Sequence, residues 1–414
     1  MKQKINSLQW WIVGLLALAM ALNYLDRQSL SVIVSKIQAD IPLDNLAYSH
    51  LQSYFFFGYG LMYAGGGFLV DRVGTRWGYL VVIVWWSVAT ALHGFTRNVT
   101  ELSIARALLG LGEGGSFPAA TKVVSERFSS NQRSFAVGIF NTGSSAGAMI
   151  AAPAIAILVS FVHWRTLFFI AGGLGLLWAV LWLWTVPSPS SHSAYNGPPR
   201  PSWISLFQYR EVKGLLISKF MSDSAWFFLM MWLPRYLGDV RGLQISAIGY
   251  YGWIPFAFAA LGSFCGGWLS AFLIERGMSI DHSRKSTLLF AACLLPASLF
   301  IVFVPLSWAI VMFSIASFGH QFWATILQTI PTDLFPSETV GSVAGLMGAS
   351  GAFGGTAFNF LAGILIQRYH SYLPVFTIAG LLHLISFVVI AFMIRPIVCL
   401  DKPTIFSEPA VLGR

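Results

Sequence analysis

Apolar residues run through this chain in stretches of twenty or more, separated by short polar connections. A helix rises 1.5 Å per residue, so about 20 apolar residues cross the hydrocarbon of a bilayer. Stretches of that length fall near 10–34, 49–70, 77–96, 101–123, 134–158 and 166–186, and again near 212–237, 246–274, 285–305, 308–330, 340–366 and 372–394. Between the two sets lies an interval rich in serine and proline, with Pro187, Pro189, Pro198, Pro199 and Pro201. Prolines at that density break helices and mark a linker. The pattern predicts an all-α membrane protein of twelve transmembrane helices in two six-helix bundles, 1–186 and 212–396. A linker over 187–211 joins them and a tail over 397–414 follows. Within the linker, Trp203-Ile204-Ser205-Leu206-Phe207 reads as a short amphipathic piece on the membrane surface. Lys2 and Lys4 before the first stretch resemble a signal peptide. The stretch is too long for one and carries Asp26 and Arg27, so it reads as an uncleaved span.

Composition agrees with the pattern. The chain of 414 residues is 56% hydrophobic and only 10% charged, against roughly 25% charged in soluble domains. Mean hydropathy is +0.69. The net charge of +9 would suggest nucleic acid in a soluble protein, but here the basic residues sit in the connections. With both termini on one side, the connections on that side hold sixteen Lys and Arg and the opposite ones six, while Arg27, Arg106 and Lys219 lie inside spans. Positive residues concentrate on the cytoplasmic side of membrane proteins. The bias predicts cytoplasmic termini and linker in a multi-pass protein of the cell inner membrane, with no nucleic-acid partner. Cys265, Cys293 and Cys399 have no metal-ligand spacing and form no disulfide framework. Neither a metal cluster nor a nucleophile triad is legible, so the chain reads as neither an enzyme nor a cofactor protein.

The end of the second span carries a compact signature, Gly67-Phe68-Leu69-Val70-Asp71-Arg72-Val73-Gly74-Thr75-Arg76. Gly67 allows close helix packing, Gly74 a tight turn, and Arg72 and Arg76 hold the loop inside by charge. About two hundred residues on, Gly267-Trp268-Leu269-Ser270 with Arg276-Gly277 echoes it, the mark of a duplicated half. The loop resembles the G-x-x-x-D-R-x-G-x-R motif of the major facilitator superfamily, and Arg106-Ala107-Leu108-Leu109-Gly110-Leu111-Gly112 resembles its fourth-helix motif. The resemblance covers essentially the whole chain. It implies that Asp71, with Arg72, Gly74 and Arg76, gates the carrier by latching its halves. The second-half loop has Ser270 where an acid would stand.

Asn23-Tyr24-Leu25-Asp26-Arg27 and Glu113-Gly114-Gly115-Ser116-Phe117-Pro118 together resemble the anion:cation symporter branch. Asp223-Ser224-Ala225-Trp226, Trp232-Leu233-Pro234-Arg235-Tyr236-Leu237 and Gly319-His320-Gln321-Phe322-Trp323 are most similar to its bacterial sugar-acid members. The vesicular glutamate carriers of that branch keep a basic residue in the seventh span where this chain offers Asp223, with Lys219 one turn before. The fifth span, Gly143-Ser144-Ser145-Ala146-Gly147-Ala148, lacks the Gly-Pro pair of many exchangers in the superfamily, which favours symport.

Charges at membrane depth cost roughly 2.5–3.5 kcal/mol each on insertion scales and persist where they pair or face water. The chain keeps Asp26, Arg27, Arg106 and Glu113 inside spans. Asp26 and Arg27 are about 100° apart around their helix, so one can face a substrate while the other faces a neighbouring helix. Arg27 is expected to bind the substrate carboxylate, because a guanidinium offers two parallel donors and stays charged. Asp26 and Glu113 are the expected proton carriers, with Arg106 as counter-charge to one of them. Tyr24, Tyr59, His320, Gln321, Trp323, Asn359 and Asp223 complete the expected substrate lining, with Asn141, Ser144 and Ser145 as further candidates. Lys219 is expected to snorkel. The function expected is proton-coupled import of a sugar-acid anion, a hexuronate such as galacturonate or glucuronate, by a monomer. Symport or exchange of aldonates, aldarates or another small organic anion is the alternative.

Overall fold

The computed structural model describes residues 7–43, 45–187, 203–243, 251–394 and 396–398, and every regular element among them is helical. The first six spans are Ser7–Val32, Asn45–Val73, Thr75–Leu92, a broken pair Val99–Glu113 and Ser116–Arg127, then Ser130–Phe161 and Trp164–Thr185. After a one-turn helix, Trp203–Leu206, come Arg210–Asp239, Ile254–Glu275, Ile280–Leu294 extended by the 3-10 turn Leu295–Phe300, Leu306–Leu334, Ser337–Tyr369 and Leu373–Met393. Several helices overrun the apolar stretches by a few residues, because backbone groups must stay bonded until water reaches them. Most of the linker, the start expected for the eighth span, and the tail with Cys399 lie outside the described residues. Leu206 of the one-turn helix is buried in the core of the second bundle, so this piece is anchored to protein rather than only laid on the membrane surface.

Burial is inverted relative to a water-soluble protein. Large apolar side chains such as Trp11, Phe57, Phe161, Trp184 and Phe360 face outward, while Asp26, Arg106, Glu113 and Arg284 are 0–1% exposed. Water would penalise both arrangements, whereas a bilayer reverses the preference outside and leaves the inside to mutual pairing. Among the described residues, seven helices are long and apolar enough to cross a membrane unaided, and an eighth qualifies across a bend at Pro153. The second, fourth, seventh and ninth spans miss that standard, and they carry Asp71, Arg106 with Glu113, Lys219 with Asp223, and Arg284.

The two bundles meet at the end where the linker joins them. Gly67 of the second span packs on Gly341 of the eleventh, so closely that a Cβ there would enter the Gly341 carbonyl. Gly74, at φ 87°, turns the chain from the second span into the third. Asp71 bonds Lys122 at 2.9 Å, the amide and hydroxyl of Ser342 at 2.6 Å each, and the Gly341 amide at 3.2 Å. A carboxylate thus meets amides in the second turn of the eleventh span, near the helix start where the dipole favours negative charge. Arg76 ties the loop to the Leu183 carbonyl of the sixth span, while exposed Arg72 lies over Phe68.

The second half solves the missing acid differently. Ser270 bonds Arg284, whose Nε reaches Asp333 of the tenth span at 3.0 Å and whose Nη2 reaches the Ser130 carbonyl of the fifth. Arg133 of the fifth span bonds the Thr332 carbonyl and Asp333. Arg133 and Arg284 entered the sequence count as loop charges. In the structure Arg284 is fully buried, and the two arginines share one carboxylate across the bundles.

Removing the anion from a buried pair costs about 3–5 kcal/mol, because its partner stays buried and charged. Asp71→Asn is therefore expected to lower Tm and lengthen spin-label distances between the linker ends of the second and eleventh spans. Unchanged melting and unchanged distances would show that Asp71 does not hold this end shut.

Candidate functional site

The fourth span breaks at Gly114-Gly115, where the Ser116 hydroxyl takes the freed Glu113 carbonyl at 2.6 Å. A Cβ at Gly114 would collide with the Tyr59 carbonyl, so glycine lets the fourth span press against the second. That contact sets Glu113 beside Arg27 of the first span. Arg27 donates to Glu113 Oε2 through Nε and Nη2, each at 3.0 Å, and Nη2 also reaches Asn23 Oδ1 at 3.1 Å. Glu113 is fully buried and Arg27 is 17% exposed, so the pair has an inner and an outer member. The second carboxylate oxygen, Oε1, is buried and accepts no hydrogen bond. The Arg27 guanidinium lies 4.7 Å from the Tyr24 ring and 4.6 Å from the Tyr59 ring. Faces of aromatic rings stabilise a cation where water is scarce.

Asp26 points the other way, accepting a 3.2 Å bond from Thr90 of the third span. Neighbours on a helix diverge by about 100°, and the two charges do take different partners. Arg106 is fully buried, lies 5.3 Å from the Phe55 ring and donates to the Arg27 carbonyl at 3.1 Å. Arg106, expected as counter-charge to Asp26 or Glu113, stands within electrostatic reach of both. The direct ion pair of Glu113 is made by Arg27, because Arg27 reaches across from the first span while Arg106 lies two helical turns from Glu113 on the same helix.

The tenth span sorts its polar residues by face. Gln321, Thr325, Gln328 and Thr332 recur at helical spacing and meet the first bundle: Gln321 bonds Ser145 at 3.4 Å, and Thr325 and Gln328 receive Asn141 at 3.3 and 3.2 Å. Asn141, Ser145 and Gln321 thus form a floor between the bundles. His320 and Trp323, expected beside the substrate, are instead turned into the second bundle. His320 stacks on Trp226 at 4.7 Å and bonds His383 of the twelfth span at 3.0 Å, and Trp323 is fully buried edge-on to His383. The reason is periodicity: with Gln321 facing the first bundle, residues one before and two after it point elsewhere.

Asn359 accepts a 2.9 Å bond from Trp232 and ties the eleventh span to the seventh. Lys219, expected to snorkel, forms a 3.0 Å pair with Asp223 one turn on. Sequence reasoning passed over Lys122 and Asp333. The parallel between Glu126-Arg127-Phe128 and Asp333-Leu334-Phe335, at matching ends of the fourth and tenth spans, could have marked Asp333.

The polar floor, the Gly67–Gly341 contact and the linker-end latch all lie on one side of the Arg27–Glu113 pair. The arrangement can bind an anion between the bundles with the linker end closed, and it can hold a proton on a buried carboxylate.

Known proteins share this design. Residues 16–359 match the model of the Major Facilitator Superfamily. A hexuronate transporter of Escherichia coli K12 is 30% identical, over 94% of each chain. A galacturonate transporter of Dickeya chrysanthemi is 28% identical, over 70% of this chain and 90% of its own. Among solved structures, the E. coli fucose:proton symporter superposes with a TM-score of 0.76 at 18% identity, covering 94% of this chain and 99% of its own. The polar-cored double bundle and the match along most of its length place this chain in the Major Facilitator Superfamily, as an integral membrane transporter and not an enzyme.

Proposed function

We propose that this transporter carries a sugar-acid anion, a hexuronate first of all, inward together with protons. The observation that supports it is the Arg27–Glu113 pair: one partly exposed guanidinium, which we place at the edge of a cleft between the bundles, held by a fully buried carboxylate. Arg27 can serve Glu113 or a substrate carboxylate, and it serves the substrate best when Glu113 is protonated. Anion and proton then favour each other's binding, and the favour is reciprocal. Asp26, buried beside Thr90 and under the charge of Arg106, is the second proton carrier. The relatives named as hexuronate and galacturonate transporters support the substrate class. Relatives named for D-galactonate and for galactarate and D-glucarate support aldonates and aldarates as the next candidates.

Sixteen basic residues on the linker side against six opposite support a cytoplasmic linker and cytoplasmic termini. On that orientation the closed linker end faces the cytoplasm and the cleft opens outward. Parting of the Asp71 and Asp333 contacts opens the inner side, in the alternating access of a two-bundle carrier.

Uptake into proteoliposomes over hexuronates, aldonates, aldarates and amino-acid anions, with and without an inward proton gradient, tests the reading. Gradient-driven accumulation of a hexuronate is expected; accumulation of glutamate with no sugar acid overturns the substrate class. Glu113→Gln mimics the protonated acid. It is expected to bind and exchange substrate yet fail to concentrate it, and concentrative uptake by this variant would falsify the coupling role. Arg27→Lys keeps the charge and loses the fork, so substrate affinity is expected to fall at least about tenfold. Wild-type affinity in Arg27→Lys contradicts a carboxylate bound by Arg27.

A further inference from the structure

The second bundle holds a charge pair that the coupling scheme leaves unused. Lys219 Nζ lies 3.0 Å from Asp223 Oδ1, and their side chains are 14% and 12% exposed. Asp223 packs on Gly351 of the eleventh span, where a Cβ would meet its carboxylate. Gly348, one turn earlier, faces the ring of Tyr63 from the first bundle. Tyr63 meets Tyr59 edge-on at 5.2 Å, and Tyr59 lies 4.6 Å from the Arg27 guanidinium. Arg27, Tyr59 and Tyr63 thus lead to Gly348, one turn from Gly351 and the Asp223–Lys219 pair, so that the eleventh span joins two cations through a run of aromatic rings.

We propose that Lys219 is a second anion-binding pole, so that the site accepts six-carbon sugar diacids with one carboxylate on Arg27 and the other on Lys219. This rests on the sugar-acid reading above and assigns a residue to the second carboxylate that distinguishes its diacid candidates from its monoacid ones. A lysine at this depth costs free energy that an apolar side chain would not. Its ammonium carries three donors, of which Asp223 takes one. It is also a point charge on a flexible stem, suited to substrates of differing length, where Arg27 supplies the fixed fork. Asp223 keeps acceptor positions for sugar hydroxyls.

The pair also predicts an extra proton. A diacid on Lys219 puts two carboxylates on one ammonium, and a proton moving from cleft water onto Asp223 relieves the repulsion. The titratable groups facing the pair are Tyr24 from the first span, Tyr63 from the second, His320 from the tenth and His383 from the twelfth, while the eleventh presents Gly351. The two histidines bond each other inside the bundle, and a tyrosine hydroxyl already carries its proton, so Asp223 is the group placed to take that proton.

The test is calorimetric binding of galactarate and galacturonate to the full-length protein in lipid nanodiscs. Lys219→Gln is expected to weaken galactarate at least about tenfold and to leave galacturonate within about threefold, the difference of one charge-assisted contact. Lowering pH is expected to strengthen galactarate binding more steeply than galacturonate binding, by up to about tenfold more per unit for one added proton. Asp223→Asn is expected to abolish that difference. The double variant Lys219→Gln/Asp223→Asn, neutral at both positions, leaves no charge buried alone and so separates binding from folding; its ratio of galactarate to galacturonate affinity is expected to fall at least about tenfold. Equal loss of both acids in the double variant, or wild-type protein that binds galacturonate but not galactarate, overturns the second pole and leaves the hexuronate reading standing. Wild-type protein that binds neither acid overturns the sugar-acid reading itself, and the second pole with it.

Discussion

Hydrocarbon cannot solvate a charge, and the molecule is organised around that constraint. Four ionisable groups sit at depth in the first bundle, and each finds a partner inside the protein: Glu113 in Arg27, Arg27 also in Asn23 and two tyrosine rings, Asp26 in Thr90, Arg106 in a backbone carbonyl. Single partners removed from such a set leave a buried charge uncompensated. The same economy makes the set useful. On the coupling proposed above, a substrate anion or a proton replaces one of the internal partners, so binding becomes an exchange of contacts.

Closure at the linker end follows related rules. The bundles meet through glycines, backbone amides and shared carboxylates: Gly67 on Gly341, Asp71 on the start of the eleventh span, Arg133 and Arg284 on Asp333. Small residues allow backbones to approach without interlocking side chains, and polar contacts can re-form with water when the end opens. An interface of deeply interdigitated large side chains would resist repeated separation. Asp71 and Asp333 act in opposite halves with different chemistry, one on helix amides and one on two arginines. The pseudo-symmetry is therefore one of position, and Ser270 shows that the second half keeps the position while moving the charge to the tenth span.

Much was legible in the amino-acid order. Hydropathy marks the spans in outline, because length and apolarity are the physical requirements for crossing a bilayer, and the spans that fall short of it are ones that carry buried charges. The loop around Asp71 and the glycines of the fourth span are local in sequence and so could be read there. Asp26, Arg27, Arg106 and Glu113 stand out because a charge in an apolar run is costly wherever it ends up. Partner choice depends on contacts between residues far apart in the chain, and only the tertiary structure decided it. It paired Glu113 with Arg27 across 86 positions and joined Asp333 to Arg133 across 200. It also turned His320 and Trp323 into the second bundle, since the phase of a helix is set by what its neighbours bury and a span with polar residues buried on several faces carries little sign of that phase.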